Sequence, residues 1–533
     1  MNWNVGLPVT RRSRAADLGI PERFNATTYF VDRHLGEGRG GKIAVECGDE
    51  RITYAQLAER VNRCGNALRK ACGVEPGDRV VLLLHDGPAF FYAFYGAIKI
   101  GAVPVPINTL WKTADYRFVL RDSGARVLIA SEALQPLVDA IARADVPDLR
   151  HALVVDRVGS FDRFLEGGEP ALDPARTRHD DPAFWLYSSG STGTPKGCVH
   201  LQHDMVVCAE LYAKAVLKID EHDRFFSVPK LFFAYGLGNS GYFPLAVGAT
   251  SILWPGPPTP AEVYAVIERH RPTLFFFVPT GFGMMLATPG AFDLSSVRFA
   301  VSAGEALPAA LYMRFKERFG VDILDAIGST EALHMFIANR PDAIRAGSSG
   351  LLLDGYDARL LDEHKEPVAR GDVGDLYIRG EATCREYWNQ PEKTANTIQD
   401  GWLRTGDKYT QDEDGFYWYC GRGDDMLKVG GLWVSPVEVE AALVAHEAVQ
   451  ECAVVGCEDR DGLTKPYAFV VLRAGVDRTP TLAADLQQFV RSTLAEYKRP
   501  RWVEFRDELP KTATGKMQRF KLRDEARGAR EPR

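Results

Sequence analysis

The segment from Tyr187 to Gly197, Tyr-Ser-Ser-Gly-Ser-Thr-Gly-Thr-Pro-Lys-Gly, restricts the folds open to this chain more than any other. Glycine lets backbone N–H groups approach an anion closely, because it has no Cβ. Successive N–H groups and hydroxyls form a concave anion site, and Lys196 adds a point charge for phosphate. The apolar run Phe184-Trp-Leu-Tyr187 is typical of a buried strand. The pattern therefore predicts a polyphosphate-binding loop at a strand end, where α/β sheets bind ligands.

Composition narrows the class of protein around this loop. A chain of 533 residues is too long for one core, and we expect about two to four domains. A net charge of -7 argues against a nucleic-acid partner. The 9 cysteines include no Cys-x-x-Cys pair and no Cys/His cluster, which favours a reducing cytoplasm and argues against a zinc site.

The sequence also predicts no membrane partner. The first residues, Met-Asn-Trp-Asn-Val-Gly-Leu-Pro, lack a basic region followed by an apolar core, so we expect no signal peptide. The most apolar stretch, Ala89 to Ile107, is interrupted by Lys99, Gly101 and two prolines and is too short to span a bilayer. We therefore expect a cytoplasmic protein.

Strand-like and helix-like segments alternate along most of the chain. The sequence predicts strands over 80–84, 127–130, 153–155, 225–228, 273–278, 297–302 and 321–326, and helices over 89–100, 204–216, 260–270 and 308–319. A capping box at Thr53–Gln56 opens a further helix. This alternation predicts an α/β fold with helix-covered, mostly parallel sheets. From about Ala358 the pattern changes to short β segments, predicted to be β-barrel-like, and an α+β pattern ends the chain.

The glycine-rich loop is not a Walker loop, because Lys196 follows Pro195 and precedes Gly197. Its spacing resembles the signature loop of the adenylate-forming superfamily, which includes acyl- and aryl-CoA ligases, adenylation domains of peptide synthetases and luciferases. Other segments resemble superfamily motifs in the same order: Gly304–Ala306, Asp325–Glu331, Thr405–Asp407, Gly421–Asp425 and Pro510–Lys516. The resemblance implies a large domain, residues 1–422, that binds ATP and an acid. It implies a small, mobile α+β domain over residues 423–533.

The resemblance also implies residue roles in acid activation. Lys196 and the loop would hold the β- and γ-phosphates of ATP, while Glu331 and Thr192 would hold Mg²⁺. Lys516 would bridge the acyl carboxylate and the α-phosphate, and Asp407 would accept hydrogen bonds from the ribose hydroxyls. The other ATP- and AMP-binding positions implied are Ser188, Ser189, Gly190, Ser191, Gly193, Thr194, Gly304, Glu305, Ala306, Asp325, Ile327, Gly328, Ser329, Thr330 and Arg422.

A second half-reaction with coenzyme A is implied for the C-terminal domain. Asp424 would be the hinge about which this domain rotates after adenylation. The Gly430-Gly431 turn, with Trp433 close by, would then receive the pantetheine arm of CoA, since glycine permits close approach to the backbone. A homodimer and a lysine acetyltransferase acting on Lys516 are further partners that the resemblance implies.

The segment from Pro229 to Gly238, Pro-Lys-Leu-Phe-Phe-Ala-Tyr-Gly-Leu-Gly, bears on the choice of acid. Three aromatic rings beside small residues predict a flat apolar slot that suits an aryl ring. The segment contains no Asp or Glu to hold an ammonium group, which argues against an amino acid. The candidate slot residues are Phe232, Phe233, Ala234, Tyr235, Gly236, Ala303, Ile327, Gly328 and His334.

Within the superfamily the chain is most similar to bacterial benzoate-CoA ligases, notably in Leu-Phe-Phe-Ala-Tyr-Gly-Leu-Gly and Lys-Val-Gly-Gly-Leu-Trp-Val-Ser-Pro. That similarity implies conversion of benzoate, ATP and CoA to benzoyl-CoA, AMP and pyrophosphate, at the start of aromatic-compound degradation. Ligation of 4-hydroxybenzoate, 2-aminobenzoate or a medium-chain acid stays open, as do carrier-protein loading, luciferase-like oxygenation and a nonenzymatic AMP-binding role. Core packing is the alternative interpretation of Phe232, Phe233 and His334.

Overall fold

A computed structural model describes residues 15–189, 195–423, 425–429, 432–459, 463–511 and 517–528, with only the backbone of Ser189, Trp433 and Gly528. The strands are β1 Ile43–Cys47, β2 Glu50–Thr53, β3 Arg79–Leu83, β4 Val103–Pro106, β5 Val127–Ser131, β6 His151–Val155, β7 Pro182–Ser189, β8 Pro195–Leu201, β9 Arg224–Ser227, β10 Thr250–Leu253, β11 Leu274–Phe277, β12 Phe299–Ser302, β13 Ile323–Gly328, β14 Met335–Ala338, β15 Leu351–Leu352, β16 Asp357–Leu361, β17 Gly374–Arg379, β18 Ile398–Gln399, β19 Trp402–Gln411, β20 Tyr417–Arg422, β21 Leu427–Val429, β22 Leu432–Val434, β23 Val449–Glu458, β24 Thr464–Leu472 and β25 Trp502–Arg506.

Helices connect most of these strands. The α-helices are α1 Arg33–Gly36, α2 Tyr54–Cys72, α3 Pro88–Lys99, α4 Thr113–Ser123, α5 Gln135–Asp139, α6 Ser160–Glu166, α7 Asp204–Cys208, α8 Ala234–Gly236, α9 Pro260–His270, α10 Pro279–Ala287, α11 Ala309–Phe319, α12 Pro391–Thr397, α13 Pro436–Ala445, α14 Pro480–Thr493 and α15 Arg519–Gly528. π-Helical turns span Thr28–Asp32, Ala209–Lys214 and Leu237–Tyr242, and 3₁₀ turns span Glu132–Leu134, Arg143–Asp145 and Glu496–Lys498.

Two sheets with parallel strands dominate the large N-terminal part. The order β4-β3-β5-β6 is parallel throughout. The second sheet has the order β15-β14-β13-β12-β11-β9-β10-β1-β2, with parallel pairing from β13 to β1 and antiparallel strands at both edges. Such strands need helical crossovers and a cover on both faces. The predicted α/β class with helix-covered parallel sheets is confirmed.

Helix α2 shows how local sequence sets these elements. The Thr53 side chain accepts from the Gln56 N–H, and the Gln56 side chain accepts from the Thr53 N–H, so the predicted capping box is present. Leu57, Val61 and Leu68 lie on the buried face of the helix. Gly73 ends it with a left-handed backbone, φ 62°, which glycine adopts at little cost.

The strand before the glycine-rich loop is placed differently from the expectation. Strand β7 pairs antiparallel with β8 in a separate two-stranded ribbon, with Tyr187 opposite Gly197 and Ser189 opposite Pro195. The loop therefore follows a strand end, as predicted, but it joins the two strands of a hairpin, and its strand is not part of a parallel sheet. An apolar run predicts burial but does not identify the pairing partner of the strand. Residues 190–194 of the loop lie outside the described residues.

The later part of the chain contains smaller sheets. Strands β16 to β20 form a five-stranded antiparallel sheet where the sequence predicts a barrel-like part. Strands β23, β24 and β25 form a three-stranded sheet near α13, α14 and α15, as the α+β pattern predicts. The predicted domain boundary between residues 422 and 423 stays a prediction. Across the described ranges, no helix combines the length and apolarity needed to cross a membrane.

Helices α2 and α3 pack closely where each presents a glycine. A Cβ placed on Gly65 would lie 2.9 Å from the Gly96 carbonyl oxygen and 2.6 Å from Leu172 Cδ2. A Cβ on Gly96 would lie 3.0 Å from the Val61 carbonyl oxygen. Two of these three neighbours are backbone atoms that cannot rotate away. The separation of the two helices thus depends on the missing side chains.

We expect Gly65→Ala to lower the midpoint of thermal unfolding. Overpacking costs about 1–3 kcal/mol, which exceeds the gain of about 1 kcal/mol from alanine in a helix. Differential scanning fluorimetry measures the change. Gly41→Ala is the matched control, because a Cβ on Gly41 would meet no atom within 4 Å. Equal midpoints for the two variants would contradict close packing at Gly65.

Candidate active site

Three of the predicted site segments lie at one edge of the nine-stranded sheet. Strands β9, β11, β12 and β13 are parallel neighbours, so their carboxyl ends lie along the same edge. The chain that follows β9 carries the aromatic segment, the chain after β12 carries Gly304–Ala306, and the chain after β13 carries Ser329–His334. This is the edge at which α/β sheets bind ligands.

Lys196 and Glu331 form an ion pair to which Tyr387 is also bound. Lys196 Nζ lies 2.6 Å from Glu331 Oε1 and 2.8 Å from the Tyr387 hydroxyl, and the hydroxyl donates to the same Oε1 at 2.8 Å. Lys196 Nζ also lies 4.2 Å from the Tyr387 ring centroid, a cation–π distance. Lys196 and Glu331 are 15% and 14% exposed, so the pair is screened from water but reachable.

The charge of Glu331 is set by this environment. Burial raises its pKa, but the Lys196 ammonium and hydrogen bonds from Lys196 and Tyr387 have the larger combined effect, and the pKa of Glu331 lies below its ordinary value. The carboxylate is therefore ionised at neutral pH. The pKa of the Tyr387 phenol is raised by burial and by the Glu331 charge, so its hydroxyl keeps the proton it donates.

Tyr387 is a site residue that sequence reasoning missed. The segment around it runs alongside β8: Arg385 N donates to the Val199 carbonyl at 2.9 Å, and Trp388 N donates to the Gly197 carbonyl at 2.8 Å. This pairing carries the Tyr387 ring over Lys196. The sequence around Tyr387 does not distinguish a core tyrosine from a site tyrosine. The long-range pairing that brings it to Lys196 cannot be predicted from local sequence.

The Asp325 side chain is buried, on strand β13 beside β12. It pairs with Ser302 in the parallel ladder. Burial raises the pKa of Asp325 to about 8, so the carboxyl is largely protonated at neutral pH. Hydrogen bonds from the Ser302 side chain and from the backbone of Leu307 and Ala326 act in the opposite direction, but the effect of burial on the pKa is larger. A neutral carboxyl offers a donor and an acceptor together, which a nucleobase edge can use.

The turn after β12 is also fixed. Glu305 Oε2 accepts from the Thr280 N–H at 3.1 Å and from the Thr280 hydroxyl at 2.8 Å. Thr280 lies in the first turn of α10, where a carboxylate interacts favourably with the helix dipole. This contact ties the Gly304–Ala306 turn to the end of the neighbouring strand β11.

Asp407 and Arg422 are directly opposite each other on β19 and β20. Arg422 Nη1 donates to Asp407 Oδ1 at 3.0 Å and to the Thr405 carbonyl at 3.2 Å. Burial lowers the pKa of Arg422, but the carboxylates of Asp407 and Glu331 are among the charges that raise it overall.

The aromatic segment after β9 packs against His334. Phe232 contacts Phe233 with ring centroids 4.4 Å apart, and the Tyr235 ring lies 5.9 Å from the His334 ring. The Tyr235 hydroxyl donates to the Val301 carbonyl at 3.0 Å. Ala303 is buried, and Ile327 and Gly328 are half-buried. The candidate slot residues thus lie on or just after the ends of neighbouring strands.

The His334 ring occupies space that Gly238 leaves open, since a Cβ on Gly238 would lie 2.2 Å from His334 Cδ2. Burial lowers the pKa of His334 to about 3, so the ring is neutral. Ser227 Oγ donates to the Pro229 carbonyl and accepts from Asn239 Nδ2, which turns Asn239 Oδ1 toward His334 Nε2 at 3.2 Å. Nε2 therefore carries the hydrogen and Nδ1 is an acceptor. Nδ1 is buried without a partner among the described residues.

Of the remaining predicted site residues, the structure describes some, and others lie outside its described ranges. The Ser188 hydroxyl is buried without a hydrogen-bond partner among the described residues, and Ser329 Oγ accepts from the Ala332 N–H at 3.2 Å. Strands β21 and β22 pair as the predicted hairpin. Outside the described residues are Gly190, Ser191, Thr192, Gly193, Thr194, Asp424, Gly430, Gly431 and Lys516.

Comparison with known proteins agrees with this arrangement. The AMP-binding enzyme family matches residues 32–388, and the C-terminal domain of AMP-binding enzymes matches residues 438–516. The chain belongs to the AMP-binding enzyme family. The predicted superfamily membership is therefore confirmed.

Relatives of this AMP-binding enzyme act on aromatic acids. A benzoate–CoA ligase of Thauera aromatica is 51% identical, over 95% of this chain and 97% of its own. The crystal structure of an anthranilate CoA ligase in complex with anthranoyl-AMP superposes with a TM-score of 0.93 at 45% identity, over 97% of this chain and 99% of that one. A benzoate CoA ligase from Burkholderia xenovorans LB400 has a TM-score of 0.87 at 45% identity, over 94% and 100%.

We expect Tyr387→Phe to lower the rate of acyl-adenylate formation by about tenfold or more, because a hydrogen bond to a charged group contributes about 1.5–3 kcal/mol. ATP–pyrophosphate exchange measures this step. Tyr264→Phe is the matched control: it removes a buried hydroxyl that donates to the Met285 carbonyl, away from the Lys196–Glu331 pair. Unchanged exchange in Tyr387→Phe would show that the hydroxyl does not support the ion pair during catalysis.

Proposed function

We propose that this AMP-binding enzyme ligates benzoate to coenzyme A through benzoyl-AMP, with release of AMP and pyrophosphate. The proposal rests on one observation about the chain segment after β13, which contributes side chains to two parts of the site. Glu331 on this chain faces Lys196, and His334, three residues later, faces Tyr235 of the aromatic segment. A phosphate-binding pair and an aromatic slot are thereby linked by one short loop. The Thauera benzoate–CoA ligase at 51% identity supports the same substrates.

The first half-reaction activates a poor acyl donor. A carboxylate oxygen of benzoate attacks the α-phosphorus of ATP, and the bond to the pyrophosphate oxygen breaks. Lys196 provides positive charge for the departing phosphates, and Lys516 provides it where negative charge develops at the α-phosphate. Asp407 holds the ribose hydroxyls as acceptor, with Arg422 beside it. The neutral Asp325 carboxyl presents its donor and acceptor to adenine.

The Glu331 carboxylate fits Mg²⁺ bound with ATP, and Lys196 beside it adds positive charge for the phosphates. Glu331 is an ionised oxygen ligand, and the described residues contain no group of three or more His, Cys, Asp or Glu that could hold a metal by themselves. Mg²⁺ is typically bound through one or two carboxylates together with substrate phosphates. Glu331 and Thr192 would hold it, and when bound it would neutralise phosphate charge.

The second half-reaction transfers the acyl group. The CoA sulfur attacks the carbonyl carbon of benzoyl-AMP, a C–S bond forms, the C–O bond to phosphate breaks, and the thiol proton is lost. We propose that rotation about Asp424 removes Lys516 and brings the Gly430-Gly431 turn and Trp433 to the carbonyl. A cytoplasmic homodimer, a role in aromatic-compound degradation and acetylation of Lys516 belong to the same proposal. Acetylation would remove the catalytic charge.

The buried nitrogen of His334 favours 2-aminobenzoate as a second candidate acid. His334 Nδ1 is an acceptor without a partner among the described residues. The ortho amino group of 2-aminobenzoate could donate a hydrogen bond to this nitrogen. A pocket with an unpaired polar group discriminates strongly for the substituent that satisfies it. The anthranilate CoA ligase that superposes on this chain binds such an acid as its adenylate.

The acid is tested by AMP release with MgATP and CoA across benzoate, 2-fluorobenzoate, 2-aminobenzoate, 4-hydroxybenzoate, cinnamate, hexanoate and octanoate. We expect benzoate and 2-fluorobenzoate to have the highest kcat/KM, because a flat slot excludes longer or bulkier acids. Preference for 2-aminobenzoate would select the second candidate. Preference for octanoate would leave the ligase chemistry intact and remove Phe232, Phe233 and Tyr235 as an aryl slot.

Lys516→Ala is expected to lower benzoate-dependent ATP–pyrophosphate exchange by about a hundredfold or more, the usual effect of losing one group that stabilises transition-state charge. CoA ester formation from preformed benzoyl-AMP should be largely retained. Lys511→Ala is the matched control in the same segment, where Lys511 Nζ binds Glu451 Oε2 at 2.6 Å. Equal loss of both half-reactions in Lys516→Ala would contradict the domain-alternation mechanism.

A further inference from the structure

His200 and Asp204 form a completely buried polar pair between β8 and α7. His200 Nδ1 lies 3.0 Å from Asp204 Oδ2, and both side chains are 0% exposed. The same carboxylate oxygen accepts from the Leu201 N–H at 3.0 Å. The His200 ring stacks on Phe184, with centroids 5.2 Å apart. A buried charge-bearing pair is costly to desolvate, so it is weak evidence for stability alone.

The second ring nitrogen of His200 reaches the active-site loop. His200 Nε2 lies 2.8 Å from the Thr330 carbonyl oxygen. A carbonyl oxygen only accepts, so Nε2 is the donor, and Asp204 at Nδ1 fixes the orientation of the ring. Thr330 directly precedes Glu331, whose own carbonyl accepts from Cys384 N at 2.6 Å. The backbone is therefore held on both sides of the Glu331 side chain.

Strand geometry relates this contact to Lys196. Lys196 and His200 are four residues apart on β8, and alternate residues of a strand share one face. The strand that carries the phosphate-binding lysine therefore also carries the side chain that anchors the Glu331 loop. A shift of β8 relative to the loop would disturb the Lys196–Glu331 contact and the His200–Thr330 contact together.

We propose that His200, oriented by Asp204, is a positioning residue that fixes the Thr330–Glu331 peptide so that the Glu331 carboxylate meets Lys196 and the metal-bound phosphates of ATP. This inference rests on the proposed function, in which Glu331 acts at those phosphates. His200 contacts the loop backbone and not the substrate. Groups that orient metal-binding side chains from the next layer typically affect metal affinity or activity by about 10- to 100-fold.

The test compares His200→Phe with His203→Phe. Phenylalanine keeps a ring against Phe184 and removes both ring nitrogens. His203 is the control, because its Nε2 also lies 3.4 Å from Asp204, at Oδ1, while its Nδ1 lies 2.6 Å from the His179 carbonyl and not at the Thr330 carbonyl. In His200→Phe, the Asp204 carboxylate stays buried without its histidine partner. The double variant His200→Phe/Asp204→Asn also replaces that carboxylate.

Binding of Mg²⁺ with α,β-methylene-ATP is measured by isothermal titration calorimetry without any acid, so the result does not depend on benzoate being the substrate. We expect His200→Phe and the double variant to bind at least about tenfold more weakly, and His203→Phe to bind like the wild type. Adenylation should slow by a similar factor, while KM for benzoate and CoA transfer from benzoyl-AMP change little.

Any of three results would overturn the positioning role. The first is a folded His200→Phe protein that binds the magnesium nucleotide as the wild type does. The second is an equal loss in nucleotide binding, KM for benzoate and CoA transfer, and the third is failure of both His200 variants to fold while His203→Phe folds. Either of the last two would show a purely structural pair. Absence of benzoate turnover in the wild type would instead count against the proposed acid, with the binding comparison still valid.

Discussion

The contact of Lys196 with Glu331 and Tyr387 brings together three stretches of chain that are far apart in sequence. Strand β8 supplies the lysine, the loop after β13 supplies the carboxylate, and the segment before α12 supplies the phenol. The lysine and the carboxylate neutralise each other, and the phenol hydroxyl hydrogen-bonds to both, in a place that is screened from water. Without the lysine, the carboxylate would be a half-buried charge whose pKa would rise. Backbone bonds and the His200 side chain keep these three stretches in register.

That register is maintained by backbone pairing reinforced by buried side chains. The segment at Arg385–Trp388 pairs with β8, which aligns Tyr387 with Lys196. His200 on the same strand reaches the Thr330 carbonyl, and Cys384 reaches the Glu331 carbonyl. Backbone groups buried at a loop must find partners, since an unpaired one costs as much as a lost hydrogen bond. The groups that hydrogen-bond to the Thr330 and Glu331 carbonyls therefore also determine where the Glu331 carboxylate lies.

Much of this could be predicted from the sequence, and the limits have physical causes. The capping box at Thr53, the parallel strands and the roles suggested for Lys196 and Glu331 depend on local patterns or on motifs with known order, and the first two of these are confirmed. The apolar run of β7 does not identify its antiparallel partner β8, and the contacts of Tyr387 and His200 depend on residues more than a hundred positions away. No local periodicity carries that information.

The loop after β13 explains how recognition of an acid and of a nucleotide can be linked. Glu331 turns toward Lys196, while His334 turns toward the aromatic segment and Asn239. Leu333 between them has φ 63°, a left-handed backbone that is unfavourable for a branched side chain. Such strain, about 1–3 kcal/mol, persists only where surrounding contacts impose it. The His200–Thr330 bond before this residue and the buried His334 ring after it are those contacts. The reversal of the chain at Leu333 lets four consecutive residues place Glu331 against Lys196 and His334 against the aromatic segment.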